Sequence, residues 1–179
     1  HKPWAEEFLK SMQTEWEREK ESARQHFEES QKHREAFDYN AAIHAIQSIP
    51  EPMRSSEVIS YLQRLESDQQ ESHELIRTIG DRIKRRDLDG LLEQVDRAVM
   101  LQGNREDLRK LQGQLRDRDA KLTQQRDAAY QEAASLLSQG DAKKAYRLIS
   151  TVKTSDLRSS DVKLRTQLEE IVRSEERRV

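Results

Sequence analysis

Residues 37–50 read FDYNAAIHAIQSIP, and this stretch decides the predicted fold because it holds both a helix start and a helix stop. Asp38 is a favoured N-cap residue, since its carboxylate accepts hydrogen bonds from the free N–H groups of a first helical turn. Apolar residues then recur with helical spacing, at Ala42, Ile43, Ile46 and Ile49. The pattern predicts a short helix near residues 39–49 that ends at a loop beginning with Pro50.

The same pattern occurs twice more along the chain. In each copy an Asp is followed by apolar residues at the fourth and fifth positions: Asp38 with Ala42 and Ile43, Asp87 with Leu91 and Leu92, and Asp141 with Ala145 and Tyr146. An arginine then follows the Asp after 16, 18 and 17 residues, namely Arg54, Arg105 and Arg158. The Asp residues are 49 and 54 residues apart, a period that points to stacked helical repeats. We therefore predict two further short helices, near 88–101 and 142–152, the last followed by a loop at Thr154-Ser-Asp.

Long helices are predicted between the short ones. Apolar residues recur every third or fourth position from Ser55 to Arg86 and from Asn104 to Gln139, so one face of each helix points inward. The predicted inward positions include Ile83 and Leu122, and those of the last helix include Val162 and Leu168. Proline is favoured at the first helical position, which predicts a first helix over residues 3–36.

The predicted fold class is all-α. A 32-residue helix is about 48 Å long and a 12-residue helix about 18 Å, so a short helix covers only part of a long neighbour. We therefore expect an elongated array of three three-helix units, built from alternating long and short antiparallel helices in a tetratricopeptide-like or spectrin-like manner. The expected units are 16–66, 67–121 and 122–179, and 1–15 form the N-terminal half of the first long helix with an uncovered stripe.

Composition excludes several classes of function. The 179 residues include 32 Lys and Arg against 34 Asp and Glu, and the two signs are interleaved, so no basic stripe indicates nucleic-acid binding. There are no cysteines, no metal-binding histidine spacing, and no glycine-rich loop that could hold a phosphate. No apolar run reaches the ~18 residues of a membrane span, and no signal peptide is visible. We expect a non-enzyme without cofactor or metal, not associated with membrane or nucleic acid, in the cytoplasm.

One group of residues is a candidate binding surface. Trp4, Phe8, Met12 and Trp16 are spaced four apart, and aromatic residues and Met are enriched at protein interfaces. No preceding short helix is present in the sequence to cover this stripe. Folding back onto the chain, or burial by a further repeat of a longer array from which this chain is cut, would explain the same residues.

The phrase Phe37-Asp-Tyr-Asn-Ala-Ala-Ile, with Ile49-Pro and Arg54, and its partner Leu88-Asp-Gly-Leu-Leu-Glu-Gln-Val, resembles tetratricopeptide-like helical hairpins. It is similar, more narrowly, to segments beside the catalytic domain in planctomycete-type bacterial serine/threonine protein kinases. The period of about 50 differs from the tetratricopeptide period of about 34. The resemblance implies a non-catalytic segment of a larger signalling protein, since no kinase motif is present.

Two functions are therefore expected from the sequence. The first is an α-helical repeat that acts as a scaffold or spacer and binds a protein partner or other domains of its own chain. The alternative is a homo-oligomeric coiled-coil module, because the helix over 104–139 keeps a near-heptad stripe. A homodimer through the exposed end helices is a further expectation.

Overall fold

The computed structural model describes residues 3–154 and 157–178. These residues form seven α-helices and one 3₁₀ turn, and no strand occurs in these two ranges. The helices are α1 (Pro3–Glu35), α2 (Tyr39–Gln47), α3 (Ser56–Lys84), α4 (Leu91–Leu101), α5 (Glu106–Ser138), α6 (Ala142–Ser150) and α7 (Ser159–Glu176), with the 3₁₀ turn at Glu51–Met53 between α2 and α3. The all-α prediction is confirmed, with long and short helices alternating along the chain.

Each of the three long-to-short turns has the same hydrogen-bond pattern. The N–H of Asp38, Asp87 and Asp141 donates to the carbonyl five residues earlier, at 2.8, 2.9 and 3.0 Å. The residue before each Asp donates to the carbonyl three residues earlier at 3.0 Å and has a positive φ: Phe37 (60°), Arg86 (57°) and Gly140 (85°). This is the Schellman motif, which satisfies carbonyls at a helix C-terminus through one left-handed residue.

Two of the three predicted caps are confirmed and one is wrong. The Asp38 carboxylate accepts from the N–H of Ala41 at 3.0 Å, and that of Asp141 from the N–H of Lys144 at 3.1 Å. Asp87 does not cap α4, whose N-cap residue is Gly90 with a φ of 70°. Three residues separate Asp87 from the first residue of α4, and its carboxylate instead accepts from the Arg82 guanidinium at 2.9 and 3.2 Å. These hydrogen bonds lower the pKa of Asp87.

The arginines of the repeat pattern have different roles. Arg54 donates to the carbonyls of Ile49 and Gln47 at 2.8 and 3.1 Å, which satisfies groups at the end of α2. Arg105 instead pairs with Asp107, and Arg158 contacts Asp161 on α7 and Asp127 on α5, each at 3.3 Å. The spacing of the arginines therefore repeats without a shared set of contacts.

The buried apolar side chains fall into three clusters. The first is formed by α1, α2 and α3 around Ile46, and the second by α3, α4 and α5 around Val95. The third lies between α5, α6 and α7 around Ile149. The chain divides into two compact units, an N-terminal unit up to Leu115 and a C-terminal unit from Arg116. The N-terminal unit holds the first two clusters and the C-terminal unit the third.

Some predicted inward positions are exposed. Ile83 is 41% exposed because it lies in the last turn of α3, four residues after the buried Ile79. Leu122 is also 41% exposed, within the run 120–125 of α5 in which every residue is exposed. Val162 is 48% exposed, since the neighbouring Asp161 takes the buried position in the first turn of α7. In each case the apolar spacing predicted the helix correctly, but it did not predict which side chains of that helix are buried.

Candidate protein-interaction surface

The first 20 residues of α1, over 3–22, form its front, and this part of the helix is exposed. Every residue from 6 to 22 is exposed, and at 1.5 Å per residue the front is about 30 Å long. All four predicted site residues lie here, and the exposed fraction is 64% for Trp4, 58% for Phe8, 53% for Met12 and 51% for Trp16. Leu9, which was not among the predicted residues, is 65% exposed. We call these five residues the apolar stripe.

The apolar stripe lies on the same face of α1 as the residues that pack in the first cluster. Leu9, Trp16, Ala23 and Ser30 follow one another at seven-residue intervals, which places them along one side of the helix. Ala23 packs against the first cluster, and Ser30 is fully buried with its hydroxyl donating to the Ala42 carbonyl at 2.7 Å. Leu9 lies seven residues before Trp16, and this spacing indicates that the two share a helix face. The prediction used only the four-residue spacing and therefore omitted Leu9.

The positions of α3 that match the apolar stripe are covered within this chain. Leu9 and Trp16 lie 49 residues before Val58 and Leu65, which is also the distance between Asp38 and Asp87. Val58 and Leu65 are buried in the first cluster, at 9% and 2% exposure. The α1 front therefore has the residue pattern of a buried helix face but is not covered.

The α1 front contains interactions within its own helix. The Lys20 ammonium lies 5.2 Å from the centre of the Trp16 ring, and the Thr14 hydroxyl donates to the Lys10 carbonyl at 2.9 Å. At the boundary with the packed part, the Arg24 guanidinium donates to Glu21 at 2.6 Å and also pairs with Glu28. The hydrogen bonds from Arg24 lower the pKa of Glu21. Such exposed pairs support a helix only weakly, and they leave the apolar side chains of the stripe accessible.

A cleft of about 270 Å³ lies between α1 and α3, but its side chains are engaged in holding the helices together. The rings of Phe27 and Tyr61 meet edge to face with centres 5.2 Å apart. Arg34 contacts Asp68 at 3.4 Å and lies 4.8 Å from the centre of the Tyr39 ring. These contacts are structural links between helices, and they do not form a nucleophile–base pair.

The segment Phe37–Tyr39, at the turn from α1 to α2, links the first two clusters. The Tyr39 ring is buried, and its hydroxyl donates to the Leu101 carbonyl at the end of α4 at 2.8 Å. A Cβ atom at Gly103 would lie 2.8 Å from the Phe37 ring, so the ring occupies the space that a side chain there would need. Sequence reasoning missed this link because neither Leu101 nor Gly103 belongs to a local motif with Tyr39.

Within 3–154 and 157–178, no group of three or more metal-binding side chains is arranged to hold an ion. None of the described helices combines the length and the apolar character needed to cross a membrane. Comparison of the chain with models of protein families, with curated proteins and with solved structures found no match.

Proposed function

We propose that this chain is a non-catalytic α-helical scaffold or spacer that binds a protein partner through the apolar stripe of α1. The observation that carries the proposal is the exposure of five large apolar side chains along one face of one helix. Contiguous exposed apolar patches mark interaction sites, because water contact with apolar surface is unfavourable. Two of the five are tryptophans, which are enriched among residues that dominate binding energy.

The finer architecture that we propose is an array of three related three-helix repeats, over 16–66, 67–121 and 122–179. Equivalent positions support it. The fourth residue after each Asp of the pattern is fully buried, namely Ala42, Leu91 and Ala145. The eighth residue after each Asp is also fully buried, namely Ile46, Val95 and Ile149. With the shared Schellman turn, this gives each proposed repeat the same hairpin geometry. The scaffold would act by position, holding attached partners or domains on rigid helices.

The resemblance to segments beside the catalytic domains of bacterial serine/threonine kinases supports a place in a larger signalling protein, and we include this in the proposal. The coiled-coil alternative requires α5 to present its heptad leucines to another chain. Leu108 and Leu115 are instead buried in the second cluster, at 4% and 3% exposure. The apolar stripe of α1 is therefore the better candidate for contact with a partner.

The proposal is tested by comparing captured proteins between variants. Wild-type protein, Met12→Glu and Met100→Glu would be tagged and incubated with lysate of the natural host. Met100 is a matched control because it is a methionine on α4 with 68% exposure. We expect the wild type and Met100→Glu to retain a common partner that Met12→Glu loses. Identical recovery by all three, or tight calorimetric binding of Mg-ATP or Zn²⁺, would contradict the proposal.

A further inference from the structure

We infer that the apolar stripe of α1 binds the same stripe of a second copy of this chain, with the two helices antiparallel. This inference rests on the proposed function, since it names the partner of the same surface. A symmetric pair of this kind uses one patch on both copies, so the patch must be complementary to itself. The spacing, charge and area of the stripe each bear on this requirement.

Four of the five stripe residues, Trp4, Phe8, Met12 and Trp16, are spaced so that they pair with one another about Lys10. In an antiparallel pair centred there, position 4 faces position 16 of the other copy, and position 8 faces position 12. Trp4 would therefore meet the second copy's Trp16, and Phe8 would meet its Met12, a pairing of sulfur with an aromatic ring that is favourable. The paired segment ends before Ala23, where α1 begins to pack in the first cluster. The proposed contact is therefore confined to the part of α1 that precedes its packing in the first cluster.

Charge favours the antiparallel over the parallel orientation. Glu15 and Glu19 lie on the side of α1 that carries the stripe, since they are eleven residues after Trp4 and Phe8. In a parallel, in-register pair each of these glutamates would face the same glutamate of the second copy, and like charges placed opposite one another are destabilising. In the antiparallel pair Glu15 faces Ala5, and Glu19 lies beyond the paired segment.

The area predicts a weak association. Aromatic side chains bury about 150–250 Å² each, and somewhat more than half of each ring residue in the stripe is exposed. With Leu9 and Met12, full coverage would remove on the order of 1,000 Å² from water over the two copies. This lies at the low end for specific interfaces, so we expect a dissociation constant on the order of 10–100 µM.

Sedimentation equilibrium and tryptophan emission test the inference together. Trp4 and Trp16 are the two tryptophans of the chain, and both lie in the stripe, so their emission reports directly on its coverage. We expect a monomer–dimer equilibrium with emission that moves to shorter wavelengths as dimer forms. Met12→Glu should weaken the dimer at least about tenfold, because it places a charge in the apolar contact, and Met100→Glu should not.

Orientation is tested with a spin label at one introduced cysteine, which is specific because the chain has no native cysteine. Ser22→Cys is suitable, since Ser22 is exposed and lies outside the paired segment. The antiparallel pair predicts an axial separation of about 36 Å between the two labels, against about 10 Å for a parallel pair. A short label separation, a dimer unaffected by Met12→Glu, or a monomer at high micromolar concentration would overturn the inference. The capture experiment above distinguishes the two proposals, because recovery of a different protein that Met12→Glu loses would support the proposed function even where no dimer of this chain forms.

Discussion

At the scale of single residues, the turn from each long helix to its short helix depends on one left-handed position. Phe37, Arg86 and Gly140 occupy this position in the three turns, and only glycine adopts such a φ without steric cost. Phe37 also places its ring against Gly103, so its side chain has a second role. Arg86 is exposed, so a substitution there can remove the strain of the left-handed conformation without loss of a buried side chain.

Substitution at two of these positions should have opposite effects. Arg86→Gly should raise the free energy of unfolding by up to about 1 kcal/mol, because it removes the contact between Cβ and the backbone in the left-handed conformation. Gly140→Ala should lower it by about 1 kcal/mol for the same reason. Urea unfolding followed by circular dichroism measures both. A loss of stability in Arg86→Gly would show that its side chain contributes more than the strain costs.

The three Asp residues of the sequence pattern should differ when replaced. Asp38→Ala and Asp141→Ala should each cost about 1 kcal/mol, since each removes the acceptor of a free N–H group in a first helical turn. Asp87→Ala should cost less, because Asp87 pairs with Arg82 on the surface and caps no helix. Thermal unfolding of the three variants provides the comparison. Equal losses would mean that the pair with Arg82 stabilises the turn as well as a cap does.

At the scale of helices, the N-terminal unit depends on contacts between short helices as well as within each hairpin. Tyr39 at the start of α2 donates to the last carbonyl of α4, and Arg97 of α4 donates to Glu71 of α3 through two hydrogen bonds of 2.7 Å. These contacts join residues 62 and 26 positions apart in the sequence. Helix periodicity predicts which helices form but not these links.

Tyr39→Phe tests the link between α2 and α4. The change keeps the buried ring but removes the hydroxyl that donates to Leu101, and it should lower the free energy of unfolding by about 1 kcal/mol. Hydrogen exchange should become faster at the end of α4 as well as at the start of α2, since both lose the bond. Faster exchange in α2 alone would indicate that the hydrogen bond does not hold the two helices together.

At the scale of the whole molecule, stability should be greatest near neutral pH. Hydrogen bonds from arginines lower the pKa of four carboxylates, those of Glu21, Glu71, Asp87 and Asp107. These groups therefore stabilise the folded state at pH values above their unfolded pKa of about 4, and this stabilisation is lost on acidification. Burial raises the pKa of Tyr39 and Tyr61. The folded state therefore favours the protonated phenols, and stability is lost as the pH rises above the unfolded pKa of about 10.

Urea unfolding from pH 2 to 11 measures this dependence. We expect a plateau between about pH 5 and 9 with a fall on both sides. The acid loss should be modest, because the paired carboxylates are mostly exposed and screened by solvent. Tyr61→Phe should reduce the alkaline loss, since it removes one of the two phenols whose pKa is raised. A stability that increases below pH 4 would contradict the assignment of these pairs.

Local sequence patterns were enough to predict the all-α class, the alternation of long and short helices, and two of the three Asp caps. These features depend on residues close together in the chain, namely the cap, the period of apolar residues and the turn residue. The sequence also identified Trp4, Phe8, Met12 and Trp16 as apolar residues on one helix face.

The tertiary structure alone decided which apolar residues are covered and which remain in water. Ile83, Leu122 and Val162 have the correct period but are exposed, because burial depends on where a neighbouring helix ends. It also decided that Asp87 pairs with Arg82 and that Tyr39 reaches Leu101, since both depend on distances in space. Helix formation is a local property of the chain, whereas coverage of a helix face requires a second element to be placed against it.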